Sequence, residues 1–389
     1  MTSTMFYSEY LREYYPHFVK FYDKSYWFLI GLSIFTILFL FKEVKSKIFP
    51  MAILIVALLY NHFREITTMP TLSVFLMLLI CSKGKSYKVI GGISLLFGWA
   101  WIISSAVACK MGLIPDIVFG NRHSLGSIYM TDLACHFLTL TMVTCIIRKG
   151  KLKLWEYAIA FGLMAVNLLL MKAKVGFLCQ FILIAGTFYY QYIIPKSQIN
   201  QGIKNIYKRG CTYFILMVIP LMVLLTINYS SDPNVFYNRI GALDTISARL
   251  MLGRKAFDQY PITMWGTYIQ EKGNGGNTGG PVTDYFFLDI SYIRLLFKDG
   301  IVILTLMTVI FLKLQKVLAK RGDNYLLFVV LVFVIDCAIE HHIAETAYDI
   351  LPYLVFCNLS NGGNVFATVK EKTWKFWLNR KPRSVQEQI

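Results

Sequence analysis

The chain has 389 residues, of which 56% are hydrophobic and 16% are charged. Soluble domains carry about 25% charged residues, so this chain has too little polar material to cover a surface that faces water. The formal net charge is +17, but the basic residues fall between apolar runs rather than on one soluble face, which excludes a nucleic-acid partner. The pattern is typical of an all-α, polytopic integral membrane protein.

Apolar runs recur along the chain and predict about eleven (10–12) transmembrane helices in a single domain, residues 1–389. Residues 1–25 have no basic start followed by an apolar core, so they are not a signal peptide. Their Tyr and Phe content predicts an interfacial segment. The second and third runs are expected to pair as a bent or re-entrant element around Pro70. The predicted spans are residues 26–41, 48–60, 67–81, 89–109, 127–147, 155–171, 175–193, 211–228, 299–315, 325–340 and 349–367.

Most of the 39 lysines and arginines lie in every second connection between these spans. By the positive-inside rule these connections are cytoplasmic, together with the basic tail 370–389. The large loop 229–298 is then external and is expected to carry short helices. An odd number of spans places the N-terminus outside. One large external loop, in a chain without internal repeats, favours a site on the outer face over a transporter built from matched halves.

The large loop contains a helix candidate in the stretch SARLMLGRKAFDQYPITMWG. Asp244 or Thr245 can cap the helix, Pro261 ends it, and apolar residues recur at helical spacing between them. We expect it to lie flat on the membrane surface, with Arg249 and Arg254 on opposite flanks of its apolar face. Two interpretations stay open. The arginines extend to ordinary lipid phosphates, or they bind the pyrophosphate of a lipid-linked substrate, which suits the planar guanidinium group.

Two further segments of the loop carry polar groups. The glycine-rich stretch 272–284 lacks the GK[ST] ending of a phosphate-binding P-loop, so a flexible hinge or lid is the better interpretation. After it, Asp284 and Asp289 lie near Arg294 at the boundary of the next span, which makes the two carboxylates candidate sugar ligands or a general base. Interfacial anchoring explains Tyr292 without any function.

Ionisable side chains inside or beside the predicted spans are costly in lipid and are therefore functional candidates. Asp132 and His136 are four residues apart and can touch each other, and a neutral pair that bridges helices explains them equally well. Lys172 and Lys174 lie in a short external hairpin, which favours an anionic partner. The other candidates are Arg122, His123, Asp336, Glu340, His341, His342, Glu345 and Asp349.

No metal or other cofactor is expected. Glu340, His341 and His342 are consecutive, so they cannot share one face of a helix, and their spacing is not HExxH. The eight cysteines form no CxxC and no Cys/His ligand spacing. They therefore predict neither a zinc site nor a disulfide framework.

The stretch SARLMLGRKAFDQYPITMWG resembles the loop signature of the Wzy-type enzymes, the bacterial O-antigen and capsular polysaccharide polymerases. In that signature an arginine-bearing segment precedes an aromatic-Pro turn and a Trp/Phe-Gly. DISYIRLLFKDGIV, NRHSLGSIYMTDLA, MKAKVGF and AETAYDILPYLVF are similar to further segments of these enzymes. In the MKAKVGF hairpin an arginine is usual, and this chain has Lys174. Related O-antigen ligases share much of the pattern but tend to have a histidine where this chain has Asp284 and Asp289.

The resemblance implies a metal-independent glycosyltransferase that joins undecaprenyl-pyrophosphate-linked repeat units at the outer face of the bacterial cytoplasmic membrane. It also implies a flippase and a chain-length regulator as protein partners within the lipid bilayer. The diphosphate ligands that it implies are Arg249 and Lys174, together with Arg122 and Arg254. The positions that it implies near the acceptor are Asp289, Tyr292 and Glu345. Arg249, Asp289 and Glu345 are the expected catalytic residues.

Other functions stay open at this point. A transporter or flippase of lipid-linked oligosaccharide needs the same anion-binding groups without bond-making, and it predicts an inward-open cavity lined by basic residues. An O-antigen ligase-type glycan transferase is a second alternative. A purely structural assembly protein would leave the external cations unexplained.

Overall fold

The computed structural model describes residues 16–63, 71–194, 201–232, 234–235, 244–276 and 282–359. The described chain is mostly helical, and its only strands are the two-residue β1 (Val118–Phe119) and β2 (Arg122–His123), which form a small antiparallel hairpin. The predicted all-α class is therefore confirmed. The predicted element around Pro70, the predicted tail 370–389 and the first fifteen residues of the predicted interfacial segment lie outside the described residues.

Twelve α-helices are described, and several continue as a short π-helical turn. The α-helices are α1 (Pro16–Phe35), α2 (Val44–Phe63), α3 (Thr71–Cys81), α4 (Tyr87–Lys110), α5 (Met130–Arg148), α6 (Leu154–Val166), α7 (Lys174–Phe188), α8 (Gln201–Ile227), α9 (Asp244–Gln259), α10 (Ser291–Arg294), α11 (Gly300–Arg321) and α12 (Asn324–Asp336). The π-helical turns are Thr36–Leu40 after α1, Asn167–Met171 after α6, Tyr189–Ile193 after α7 and Leu295–Asp299 after α10.

Within the described residues, six helical segments are long and apolar enough to cross a membrane. They are Val44–Phe63, Tyr87–Lys110, Met130–Arg148, Leu154–Met171, Gln201–Ile227 and Ser291–Arg321. Three shorter apolar helices are Tyr26–Leu40, Thr71–Cys81 and Asn324–Asp336. Helices of this length and composition are typical of a membrane protein, but the predicted number of eleven spans is not confirmed.

The last predicted span, 349–367, is not a continuous helix where the structure describes it. Residues 349–359 form turns and one 3-10 turn, Pro352–Val355. They are mostly buried and end beside the connection between α3 and α4, where the Asn358 N–H donates to the Lys85 carbonyl at 2.8 Å. Irregular backbone is tolerated at membrane depth only where protein covers it, and here the surrounding helices supply that cover.

Helix α5 lies at the centre of the described fold. It packs against α4, α6, α7 and α12, and most of its side chains are buried. By contrast, large apolar side chains on the outer faces of α4 and α8 are exposed, among them Leu96, Ile103, Met217 and Leu224. An apolar exterior around a buried polar-containing helix is the arrangement that a lipid environment favours.

The helix ends form two chemically different ends of the molecule. At one, which we call the basic end, Lys149 Nζ donates to the Leu359 carbonyl at 2.8 Å and lies 3.9 Å from Asp323 Oδ2. The connections 83–88, 148–153 and 321–324 gather there. The opposite end, where α5 begins at Met130, holds the site described next, and we call it the cavity end.

Candidate functional site

A cavity of about 1120 Å³, here called the charged cavity, lies at the cavity end. Its walls come from the β1–β2 hairpin, the start of α5, the turn between α6 and α7, helix α9, the loop that follows α9, and the segment after α12. Its charged and histidine lining residues are Arg122, Asp132, Lys172, Lys174, Arg249, Glu271, Lys272, Asp289, Glu340 and His341. Regions that are far apart in the sequence therefore meet around one space.

Arg249 lies between two carboxylates in the wall of the charged cavity. Its NH2 donates to Glu340 Oε1 at 2.8 Å, and its Nε lies 3.5 Å from Asp289 Oδ2. The side chain is only 11% exposed. Burial disfavours the charged form, but Glu340 and Asp289 outweigh it and raise the pKa of Arg249 above its usual value. Arg249 is thus a held cation facing the cavity, and it does not extend outward as the lipid-phosphate interpretation required.

The predicted loop helix is present as α9, but its apolar face packs on protein. A Cβ added at Gly253 would lie 2.6 Å from Thr226 Cγ2 in α8, so the two helices touch closely there. The Phe257 ring meets the Phe297 ring edge-on, with centroids 4.8 Å apart. The prediction that this face rests on the membrane surface is therefore wrong, because α8 and the turn before α11 offer it a protein surface.

Arg254 faces away from the charged cavity. Its NH2 lies 2.9 Å from Asp258 Oδ1 one helical turn later, and its NH1 donates to the Ile227 carbonyl at 2.5 Å. The opposite-flank geometry predicted for the two arginines is present, but only Arg249 reaches the cavity. The structure does not bring Arg254 to the site as the predicted partner of Arg249.

Three cationic residues from the hairpin and from the α6–α7 turn border the cavity. Arg122 Nε donates to the Met171 carbonyl at 2.7 Å, which fastens the hairpin to that turn. Lys172 adopts a left-handed conformation with φ +52°, and its N–H donates to the Asn167 carbonyl at 2.7 Å. Lys174 begins α7. The predicted anion-binding residues Arg122 and Lys174 therefore share one wall, and Lys172 joins them.

Of the candidates in residues 284–294, the structure brings Asp289 to the cavity. Asp284 is exposed, has φ +58° and does not line the cavity. Tyr292 is fully buried, and its hydroxyl donates to the Val334 carbonyl at 2.7 Å. That bond gives Tyr292 a packing role between α10 and α12, so the predicted position at an acceptor site is not supported.

Glu271, which the sequence analysis missed, anchors the remaining candidate, Arg294. Glu271 Oε1 lies 2.5 Å from Arg294 NH1, and its Oε2 lies 2.5 Å from Lys298 Nζ. Burial raises the pKa of Glu271, but the two cations outweigh burial and hold it below its usual value. Arg294 is therefore a positioning group behind the wall, while Glu271 itself lines the cavity. The sequence signal was a lone acidic residue just before the glycine-rich stretch.

Two histidines after α12 link the carboxylates of the site. His341 Nδ1 lies 3.9 Å from Asp289 Oδ1, and His341 Nε2 lies 3.8 Å from Glu345 Oε1. His342 Nδ1 lies 3.4 Å from Glu345 Oε2, and His342 Nε2 lies 3.8 Å from Asp132 Oδ1. Glu345, a predicted catalytic residue, thus lies behind the histidines rather than in the cavity lining.

The surroundings set different protonation states for these groups. Burial, assisted by His342, holds the pKa of His341 well below its usual value, so its imidazole is neutral. Burial also opposes the charge on His342, but the hydrogen bond and charge of Glu345 raise that pKa to about 9. Burial raises the pKa of Asp289 to about 6, against the opposing charge of Arg249. The site therefore contains a neutral histidine beside a carboxyl group that titrates near neutral pH.

The predicted contact between Asp132 and His136 is replaced by other contacts. Asp132 faces His342, while the His136 ring stacks on Tyr348 with centroids 4.2 Å apart. The Tyr348 ring also stacks on His342, at 3.8 Å. The two residues lie a full helical turn apart on α5, and each meets a different part of the segment after α12.

Of the glycine-rich stretch 272–284, residues 272–276 and Val282 line the charged cavity. The Gly276 N–H donates to the Ile128 carbonyl at 2.9 Å, and the Val282 N–H donates to Asn274 Oδ1 at 2.9 Å. Residues 277–281 lie outside the described residues, so the hinge or lid stays a prediction.

No metal site was expected at residues 340–342, because three consecutive side chains cannot share one face of a helix. The structure shows that these residues are not helical. Helix α12 ends at Asp336, and the chain beyond it forms turns and bends. Glu340 and His342 therefore both approach Cys135 of α5, and ligand atoms of these three residues lie within 4.8 Å of one another. This cluster could hold a metal ion.

A second, mainly apolar cavity of about 320 Å³ lies between α3, α4, α5 and the segment after α12. It reaches His136, one helical turn from Asp132 in the charged cavity. Its apolar lining includes Leu78, Ile93, Phe97 and Trp101. The two cavities are thus neighbours along α5 and differ sharply in polarity.

Comparison of the chain with protein-family models, with curated proteins and with solved structures finds no match. Function therefore has to be inferred from the chemistry of the site.

Proposed function

We propose that the protein is a membrane-embedded polysaccharide polymerase. It joins undecaprenyl-pyrophosphate-linked oligosaccharide repeat units at the outer face of the bacterial cytoplasmic membrane, through a multi-pass fold of about eleven spans. The observation that carries the proposal is the charged cavity, which is lined both by a group of cations, Arg122, Lys172 and Lys174, and by a group of carboxylates and histidine. Arg249 is paired with two carboxylates of the second group, Glu340 and Asp289.

The cationic wall suits the diphosphate of a lipid-linked donor. Arg122, Lys172 and Lys174 border the cavity from two adjacent elements. Lysine binds phosphate as a point charge, and arginine binds it with a planar fork of donors. Lys272, on the neighbouring wall, adds a further positive charge. Because these cations come from adjacent elements, one diphosphate could contact several of them together.

The second group of lining residues suits the acceptor sugar. Asp289, Glu340 and His341 line the cavity and can accept hydrogen bonds from sugar hydroxyls. Asp289, with a pKa of about 6, is mostly ionised at neutral pH and can accept a proton there. His341 is neutral and can also accept a proton, but its lowered pKa makes it the weaker base. His341 is therefore a second candidate for the base, beside Asp289.

In the proposed reaction, an acceptor hydroxyl oxygen attacks the anomeric carbon of the growing glycan. The bond from that carbon to the diphosphate oxygen breaks, and lipid pyrophosphate leaves with the bonding electrons. The hydroxyl proton passes to Asp289 or His341. Arg249, held by Glu340 and Asp289, stabilises negative charge on the leaving group without having to reorganise.

The apolar cavity supports a lipid-linked substrate. A carrier of this class has a long isoprenoid chain attached to its diphosphate, so its site needs an apolar surface next to a cationic one. The second cavity provides that surface one helical turn along α5 from Asp132. The apolar cavity would take only part of the chain, and exposed apolar side chains of α4, Ile93 and Phe97 among them, border it.

The proposal is tested in a strain from which the gene is deleted. Lipid extracts are analysed by mass spectrometry, and the side of the membrane that carries the glycan is determined by adding a glycosidase to intact spheroplasts. A lost polymerase leaves single lipid-linked repeat units outside, where the enzyme digests them, and no polymer. Units that are protected inside would identify a flippase instead, and normal polymer with unattached chains would identify a ligase.

A further inference from the structure

We propose that Cys135, Glu340 and His342 bind a Zn²⁺ ion. Asp132, whose Oδ1 lies 3.8 Å from His342 Nε2, is the candidate for a fourth ligand. The site joins α5 to the irregular segment after α12. It shares Glu340 with the lining of the charged cavity, and it goes beyond the proposed polymerase activity because it requires neither a glycan nor a lipid.

The distances fit a tetrahedral ion. Zinc lies about 2.3 Å from thiolate sulfur and about 2.0–2.1 Å from imidazole nitrogen or carboxylate oxygen, which places the donor atoms within about 4 Å of one another. The donor atoms of Cys135, Glu340 and His342 already lie within 4.8 Å of one another. Small side-chain rotations close the remaining gap. A set of one thiolate, one imidazole and carboxylates is a donor set that zinc accepts.

The orientation of His342 is a second observation that points to an ion. Its Nδ1 is bonded to Glu345 at 3.4 Å, whereas its Nε2 is buried and has no hydrogen-bond partner. Metal-binding histidines usually donate one ring N–H to a carboxylate and bind the ion through the other nitrogen. Glu345 therefore occupies the supporting position, and the Nε2 atom faces Asp132 and the proposed ion.

Charge balance allows a divalent cation at this place. The carboxyl groups of Asp132, Asp336 and Glu340 are buried, and both aspartates lie close enough to Glu340 to be influenced by its charge. Among the described residues, Arg249 and His342 are the cations within ion-pair distance of this group. Binding of Zn²⁺ would release the Cys135 thiol proton and the proton on His342 Nε2, so the two charges of the ion replace two protons and the net charge of the acidic cluster stays the same.

The site would hold His341 in position at the cavity wall. His341 lies between two proposed ligands, Glu340 and His342, in a segment of turns and bends. Fastening both neighbours to Cys135 of α5 restrains the backbone at His341. The ion thus has a structural role next to the site and takes no part in the transfer step.

Zinc content of the full-length protein tests the proposal. The protein is expressed with added zinc, purified in detergent, dialysed against metal-free buffer and analysed by inductively coupled plasma mass spectrometry. We expect about one zinc per chain. Cys135→Ser and His342→Ala should reduce it to background. The matched control is Cys145→Ser, since Cys145 is a buried cysteine on the same helix near the basic end and outside the cluster. It should retain the metal.

Cobalt substitution gives a readout that does not depend on a variant. Co²⁺ bound through Cys135 should show a thiolate-to-cobalt charge-transfer absorption in the near ultraviolet, and Cys135→Ser should lack it. The proposal would be overturned if the wild-type protein purified without zinc and also showed no such absorption after Co²⁺ was added. Equal zinc in wild type, Cys135→Ser and His342→Ala would also overturn it, because the metal would then be adventitious.

Discussion

Arg249 provides the sharpest test of the proposed chemistry, because Arg254 on the same helix serves as its control. Arg249 is 11% exposed and held by Glu340 and Asp289, whereas Arg254 is 42% exposed and paired with Asp258. We compare Arg249→Lys, Arg249→Ala and Arg254→Ala. The lysine variant keeps a positive charge but loses the fork of donors, so it separates charge from geometry.

The structure sets the expected magnitudes. Loss of a charge-assisted bond to a leaving group in a desolvated site costs on the order of 2–4 kcal/mol, or about 30- to 1000-fold in rate. Arg249→Ala also leaves Glu340 and Asp289 buried without their cation, and breaking such a pair costs about 3–5 kcal/mol of stability. Part of the alanine effect will therefore appear as less folded protein. Arg249→Lys should accumulate better and still extend chains poorly.

The assay is the length distribution of glycan in a deletion strain that expresses each variant, normalised to the amount of protein in the membrane. Arg249→Ala should abolish extension, Arg249→Lys should restore it in part, and Arg254→Ala should leave it close to wild type, since exposed pairs contribute only about 0–1 kcal/mol. A normal ladder from Arg249→Ala at normal protein level would refute the catalytic role. Equal losses from Arg249→Ala and Arg254→Ala would show that α9 acts only as a structural element.

Three further predictions concern the fold, the topology and the pH dependence. Gly266→Ala should sharply reduce the amount of folded protein, because Gly266 has φ +86° and an added Cβ would lie 2.0 Å from the Lys298 carbonyl oxygen. The control Gly162→Ala should be tolerated, because a Cβ added at Gly162 would have no atom within 4 Å. A cysteine placed at Asn274 should react with an impermeant thiol reagent in intact spheroplasts and one at Lys151 should not; the reverse pattern would overturn the proposed orientation. Burial raises the pKa of Asp289 to about 6, so its ionised form is lost as the pH falls through that value. If Asp289 is the base, polymerisation in vesicles should fall roughly tenfold for each pH unit below about 6, and a rate that is flat from pH 7 to pH 5 would exclude it.

The apolar helices were predictable because their signal is local. A run such as 211–228 can be recognised from composition alone, and it matches α8 within its longer range Gln201–Ile227. The last predicted span, 349–367, had the same apolar composition, but its described part is irregular. Apolar composition predicts burial, and a buried irregular segment inside a helical protein has the same composition as a helix that faces lipid.

The sequence indicated which segments of the chain form the site, but it did not indicate which atoms their side chains contact. The predictions for Arg249, Asp289, Arg122 and Lys174 each named a residue that lines the charged cavity. Tyr292 belongs to the same local motif, yet its hydroxyl bonds to a carbonyl in α12. The direction in which a boundary residue points depends on its neighbours in space, and the sequence around it does not contain that information.

The contacts of Glu340, His341 and His342, after α12, depend on whether the chain there is helical. The conclusion that Glu340, His341 and His342 cannot act together is correct for a helix, where consecutive side chains are about 100° apart. The chain stops being helical at Asp336, and turns then allow Glu340 and His342 to approach Cys135 while His341 faces the cavity. Buried irregular backbone is expensive in a membrane and is retained only where protein or a polar cavity covers it. Because the chain is not helical after α12, the contacts of Glu340, His341 and His342 could not be predicted from helical spacing. The same irregular backbone lets this segment contribute residues both to the charged cavity and to the proposed zinc cluster.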